Sequence, residues 1–340
     1  MPTLQGALVA SKILDWLPTR TVLNGTFVLS SVALATISAA GSPTVMAIPV
    51  MVLGVAAPIS WAATTHVAAR TVEARNLAMV MGGAGGGVGL GVIINGALVW
   101  VSSGPEAWRW AFLVAALMSM LVTVASLVLF RRPVERPSTG AGVGRAGGSY
   151  RRVLSQWAGR VVVIASVVTG VTAFTFNSFL TTTAIEEMVT SSVAAGALLW
   201  AMGTLGVIAS VYLGRASDRG SPVPVVSWMF LVCGTGLGLV TVVWTYFGLM
   251  VAALGIAILN FPVWGLVAAI ASRRFEPPEA LRAVALGLVG ASDTSAVGSV
   301  LAGRWIDSVG SMRLPVALMA LATLTVGWWT SGRHGSHAAE

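Results

Sequence analysis

Charge is scarce in this 340-residue chain: Asp, Glu, Lys and Arg together make up 9% of it, where a soluble domain carries about 25%. A surface that poor in charge cannot be kept in water, which excludes a soluble globular fold. Cysteine is scarcer still, at one residue, Cys233. No disulfide framework and no cysteine-based metal site can be built from it. The three histidines are too dispersed for a metal centre, with His66 near the end of an apolar run and His334 and His337 in a short tail. Enzyme signatures are missing as well: there is no His-Glu-x-x-His, no Gly-x-Ser-x-Gly and no Walker sequence. An ATP-driven pump is thereby excluded on this chain, and no cofactor or metal is expected. A membrane-embedded hydrolase or transferase would gather several titratable groups, yet the apolar runs hold one carboxylate, Asp293.

What the chain has in abundance is apolar sequence, 56% of all residues, with a mean hydropathy of +0.86. A helix needs about 20 apolar residues to cross a bilayer. Such stretches fall at 22–40, 43–65, 77–101, 108–130, 161–183, 193–213, 222–243, 246–271, 283–303 and 314–330. All are expected to be helices, because lipid offers no partner to an unpaired backbone group. The expected fold class is all-α, a polytopic membrane protein. Of the 20 basic residues, all but Arg109, Arg304 and Arg313 lie before the first stretch, in every second gap after it, or in the tail. The positive-inside rule then puts both termini in the cytoplasm. The net charge of +8 is scattered over loops without stacking aromatics, so the expected electrostatic partner is anionic lipid rather than nucleic acid. Met1–Ala10 is too short for the apolar core and flanks of a cleavable signal peptide.

The longest polar interval, 131–160, carries Pro133, Pro137 and several Gly and Ser residues, and reads as a flexible cytoplasmic linker. Four stretches precede it and six come after. An internal repeat accounts for the asymmetry. The segment Ser11 to Arg20 contains Asp15, and the segment Gly214-Arg215-Ala216-Ser217-Asp218-Arg219-Gly220 contains Asp218, 203 residues later. The same offset sets Arg70 opposite Arg273 and Gly87 opposite Gly290, and brings Arg109 next to the counterpart of Arg313. The first half (1–130) therefore matches the third to sixth helices of the second half (161–331), and 332–340 forms a tail.

Gly214, Asp218 and Arg219 match Gly-x-x-x-Asp-Arg-x-Gly, the loop signature of the major facilitator superfamily, and Asp15 with Arg20 forms a degenerate copy. Gly87-Val-Gly-Leu-Gly91-Val92-Ile-Ile-Asn95-Gly96 is similar to the fifth-helix signature of its antiporter branch, with Val92 for Pro and Asn95 for Gly. Trp108-Arg109-Trp110 opening a helix is also typical of that family. The resemblance implies a two-bundle fold with about ten transmembrane helices, lacking counterparts of the first two helices of a twelve-helix member. It further implies a monomeric secondary transporter in a bacterial plasma membrane, moving a small molecule by alternating access, proton-coupled, with drug or metabolite efflux as the leading reading. Uptake of a small organic acid and a truncated, non-transporting receptor or scaffold are the alternatives. The charge cluster of Arg215, Asp218 and Arg219 reads as a latch between halves or as a solvated turn.

Three further features have candidate roles. Gly82 to Gly91 repeats glycine at three- and four-residue intervals, leaving one helix face as bare backbone, which serves either a static packing seam or a moving gate. Asp293 lies near the bilayer midplane, 11 positions after Arg282. Acids there line polar cavities or relay protons; with Ser292, Thr294 and Ser295 beside it, a structural hydrogen-bonded acid is the other reading. By the repeat, Trp61, Phe176, Asn177, Asn260 and Trp264 belong to helices that line the central cavity in the family, with ordinary packing as the alternative for each.

Overall fold

Each spanning segment must satisfy its own backbone, and only the helix does so within a single segment. The computed structural model describes residues 17–73, 76–101, 106–129 and 150–332, and among these every regular element is helical. The helices are α1 (Thr19–Ala39), α2 (Pro43–Thr71), α3 (Leu77–Val101), α4 (Ala107–Leu129), the short α5 (Tyr150–Ser155), α6 (Trp157–Thr169), α7 (Thr175–Thr182), α8 (Ser192–Arg219), α9 (Pro222–Val242), α10 (Tyr246–Arg274), α11 (Pro277–Val309) and α12 (Arg313–Gly332). A π turn at Gly170–Phe174 joins α6 to α7 and a second one, Thr183–Glu187, ends α7, so Trp157–Glu187 acts as one span. Among the described residues, ten spans are long and apolar enough to cross a membrane.

Several helices overrun the apolar windows, because helical hydrogen bonding continues beyond the hydrocarbon. Gly214–Arg219, expected in a gap, forms the last turns of α8. Likewise α5 and the start of α6 occupy the end of the interval read as a linker. The rest of that interval, Ser11, Asp15 and the tail from 333 lie outside the described residues.

The repeat recurs in the helices themselves. Displaced by 203 residues, Thr19–Ala39 falls on Pro222–Val242, both of 21 residues, and Pro43–Thr71 falls on Tyr246–Arg274, both of 29. A tie recurs with them. Arg109 at the start of α4 donates to the Ser38 carbonyl at the end of α1 (3.0 Å), and Arg313 at the start of α12 donates to the Thr241 carbonyl at the end of α9 (2.7 Å).

Packing divides the chain into two units, Met1–Thr71 with Ser102–Arg152, and Val72–Val101 with Val153–Glu340. In the first, α1 packs against α2 and α4, and Val22, Leu23, Ile59 and Ala63 form a small core. Arg20 Nη2 reaches the Leu127 carbonyl (3.2 Å) and Ser119 Oγ the Phe27 carbonyl (3.1 Å), which fixes α1 on α4. In the second, α10 is central, with most residues from Gly248 to Ala271 buried; α3 and α8, α9 and α12, and α6 and α11 pair around it. Pro262 lies inside α10, where it removes one N–H and frees a carbonyl one turn back.

Candidate functional site

The functional side chains of the second unit fall in three places, each set by local sequence. The first is the seam between α3 and α8, which run antiparallel in contact from Ala78 beside Gly214 to Gly96 beside Gly196 and Trp200. Glycine makes this approach feasible. A Cβ on Gly82 would collide with the Ser210 carbonyl and one on Gly85 with the Phe261 carbonyl of α10, while Gly89 and Gly96 would meet backbone at 2.9 Å and 2.8 Å. Gly87 and Gly91, assigned with Gly96 to the fifth-helix signature, have nothing within 4 Å of such an atom. The bare face is therefore the one carrying Gly82, Gly85, Gly89 and Gly96.

At one end of this seam Asp218 caps α3. Its two oxygens accept from the backbone N–H groups of Ala78 (3.1 Å) and Met79 (2.8 Å). First-turn N–H groups have no partner inside their own helix, and an acid there also meets the positive end of the helix dipole. Arg273 closes the arrangement, with Nη2 3.4 Å from Asp218 Oδ1 and Nη1 donating to the Gly220 carbonyl at 2.8 Å. Sequence reading grouped Asp218 with Arg215 and Arg219; the structure pairs it with Arg273 instead. The Arg215 guanidinium turns to the Met79 sulfur (3.3 Å), and Arg219 is exposed. The repeat had set Arg273 opposite Arg70, and only the end-to-end approach of α8 and α10 reveals its partner.

The second place surrounds the π turn. A π turn inserts one extra residue into a helix and rotates the residues after it, and such bulges recur at functional sites. Here a Cβ on Gly170 would collide with the Ala291 carbonyl of α11. The turn ends on Phe174, 39% exposed, whose ring stacks on Trp264 of α10 with centroids 6.0 Å apart and planes 21° apart. Phe176, expected in the cavity, is instead packed in the bundle core at 2% exposure, because belonging to a cavity-lining helix does not fix which of its faces meets the neighbouring helices. Asn260 is buried and Asn177 half-buried, and the Oδ1 of each is enclosed without a hydrogen-bond donor. No signal short of the tertiary structure pointed to the π turn.

The third is Asp293, half-buried at the middle of the 33 residues of α11. Its neighbour Thr294 faces α6, donating to the Val167 carbonyl (3.0 Å) and to Gly290 of its own helix (2.7 Å). In the first unit Trp61 is half-buried on α2 with Nε1 enclosed and unpaired, 203 residues before Trp264. Arg20 is tied to α4 as described. No group of three or more His, Cys, Asp or Glu able to hold a metal occurs among the described residues.

A helical membrane chain with two repeated sets of helices and a signature acid on a helix terminus defines a class. The Major Facilitator Superfamily profile matches residues 2–294. The chain belongs to that superfamily of transporters. Its structure is similar to that of the fucose:proton symporter FucP of E. coli, at 12% identity and a TM-score of 0.70 over 98% of this chain and 87% of that one. FucP in the outward conformation gives 13% identity and 0.69, over 96% and 86%. The human organic anion transporter MFSD10 gives 16% and 0.71, over 97% and 80%. No curated protein matches the chain by sequence.

Proposed function

We propose that this chain is a proton-coupled secondary transporter in which Asp293 carries the coupling proton. The observation behind this is its position: an acid at the middle of a spanning helix costs about 2.5–3.5 kcal/mol even on the lenient insertion scale, a cost that one change to Asn would remove. Proton coupling in the fucose symporter that shares the fold supports the same reading. The sequence halves 1–130 and 161–331 act as the two moving parts, both termini lie in the cytoplasm, and the chain works as a monomer among lipids. In this scheme the Asp218 cap on α3 is the latch that holds one state and releases in the other, since α3 comes from the first half and α8 and α10 from the second. The favoured direction is efflux of a small molecule. Uptake of a small organic acid has the organic anion transporter as a precedent for the fold, but no Arg or Lys lies within 161–214 or 220–272 to meet an anion.

The test uses full-length protein in liposomes loaded with a pH-sensitive dye, challenged with ethidium, benzoate and a monosaccharide. The wild type should couple proton movement to one of these probes, and Asp293→Asn should abolish it while still inserting and melting normally. Unchanged proton movement in a well-folded Asp293→Asn protein would refute the coupling role.

A further inference from the structure

The π turn and the proline-bearing helix α10 bring two rings together, Phe174 and Trp264, and each ring has a carboxamide one helical turn away in the chain. The segment Trp157–Glu187 and α10 run in opposite directions, and Tyr246 at the start of α10 donates its hydroxyl to the Ala194 carbonyl just beyond the end of that segment (2.9 Å). Moving from the Phe174–Trp264 stack toward that end, Asn177 comes three residues after Phe174 and Asn260 four before Trp264. Residues spaced by three or four share a helix face, so both carboxamides stand one turn from the aromatic pair, on the same side of it. Each holds an enclosed oxygen without a donor, and Asn260 is 4% exposed. Such an oxygen is costly to bury unless something donates to it. The nearby hydroxyl of Ser178 does not serve, because it donates to the Phe174 carbonyl (2.9 Å). Phe174 itself is 39% exposed, so Trp264 leaves part of it uncovered.

The chemistry of these groups selects a ligand. Ring faces carry negative charge density and attract cations or flat rings, and the two amide oxygens accept N–H donors. An anion could take the carboxamide N–H groups, but it would face the π clouds of two rings with no Arg or Lys in 161–214 or 220–272 to neutralise its charge. The geometry points to Phe174, Trp264, Asn177 and Asn260 as the recognition site for a flat aromatic cation carrying N–H donors. This rests on the transporter reading above and names its cargo. Phe174 and Trp264 take the ring plane, Asn177 and Asn260 take the amino groups, and Asp293 on α11 is left to the proton.

Ethidium, a planar cation with two amino groups, is the probe. Titrated into the full chain in nanodiscs, it should bind saturably, with tetraethylammonium (no ring, no N–H) and benzoate (flat, anionic) failing to compete. Trp264→Leu and Asn260→Leu should each weaken binding about tenfold, the scale of one aromatic pair or one hydrogen bond. Trp264→Phe, which keeps a ring, should stay within about threefold of wild type and guards against a folding artefact in the leucine variant. Non-saturable ethidium uptake, equal competition by benzoate, or saturable binding indifferent to both leucine changes overturns the assignment. The two readings fail separately. Proton movement driven by benzoate or the monosaccharide and abolished in Asp293→Asn removes the cargo class and keeps the transporter. Trp264-dependent ethidium binding with proton movement unchanged in Asp293→Asn keeps the site and removes the coupling role.

Discussion

Gly85 and Gly87 stand two residues apart on α3, and alanine should act on them in opposite directions. At Gly85 the added methyl would collide with the Phe261 carbonyl, a backbone atom that no rotamer change can move aside. Overpacking of this kind costs about 1–3 kcal/mol, and the rigid neighbour argues for the upper half of that range. Replacing glycine by alanine in a helix returns about 0.5–1 kcal/mol, so Gly85→Ala should lose about 1–2 kcal/mol overall. At Gly87 the methyl meets nothing within 4 Å, leaving only the gain. At about 2–4 °C per kcal/mol, the first variant should melt about 2–8 °C below wild type and the second up to about 4 °C above it. The chain supplies its own reporter: Cys233 is the single cysteine and is fully buried in the second unit, so a fluorogenic maleimide reacts as that unit unfolds. A Gly85→Ala protein that melts at or above wild type, or a Gly87→Ala protein that falls as far, would refute the assignment of the packed face.

Val189, 86% exposed at φ +51, is a β-branched residue in the left-handed region, which costs about 1–2 kcal/mol; Val189→Gly should raise the melting temperature in the same assay, and a fall would deny the strain. Asp218→Ala should lose about 0.5–2 kcal/mol with the α3 cap, while Asp218→Asn, keeping an acceptor, should lose less; equal losses would mean that the charge, not the hydrogen bonds, holds the end of α3. Asp293→Asn should abolish coupled proton movement without changing the melting temperature, and a large destabilisation would assign the acid to packing instead. For orientation, cysteine at Val189 should react with an impermeant thiol reagent only from outside the cell and cysteine at the exposed Ser221 only from the cytoplasm, with native Cys233 protected by burial; the opposite accessibility would reverse the topology.

Composition and spacing alone determined that this is an all-helical membrane chain with ten spans, where its basic residues concentrate, and that its halves repeat at 203 residues. Those properties are local or periodic: an apolar run must be helical in lipid whatever surrounds it, and a duplicated helix keeps its length, as α1 with α9 and α2 with α10 do. The tertiary structure decided everything that depends on a neighbour. Which glycines are crowded is set by where α8 and α10 lie, so Gly85 is packed and Gly87 open although both belong to one glycine run. The partner of Asp218 is Arg273, 55 residues on, because the ends of α8 and α10 meet, whereas sequence proximity favoured Arg215 and Arg219. Phe174 rather than Phe176 meets Trp264: two residues apart in a helix point to nearly opposite sides, and only the position of α10 decides which side faces it.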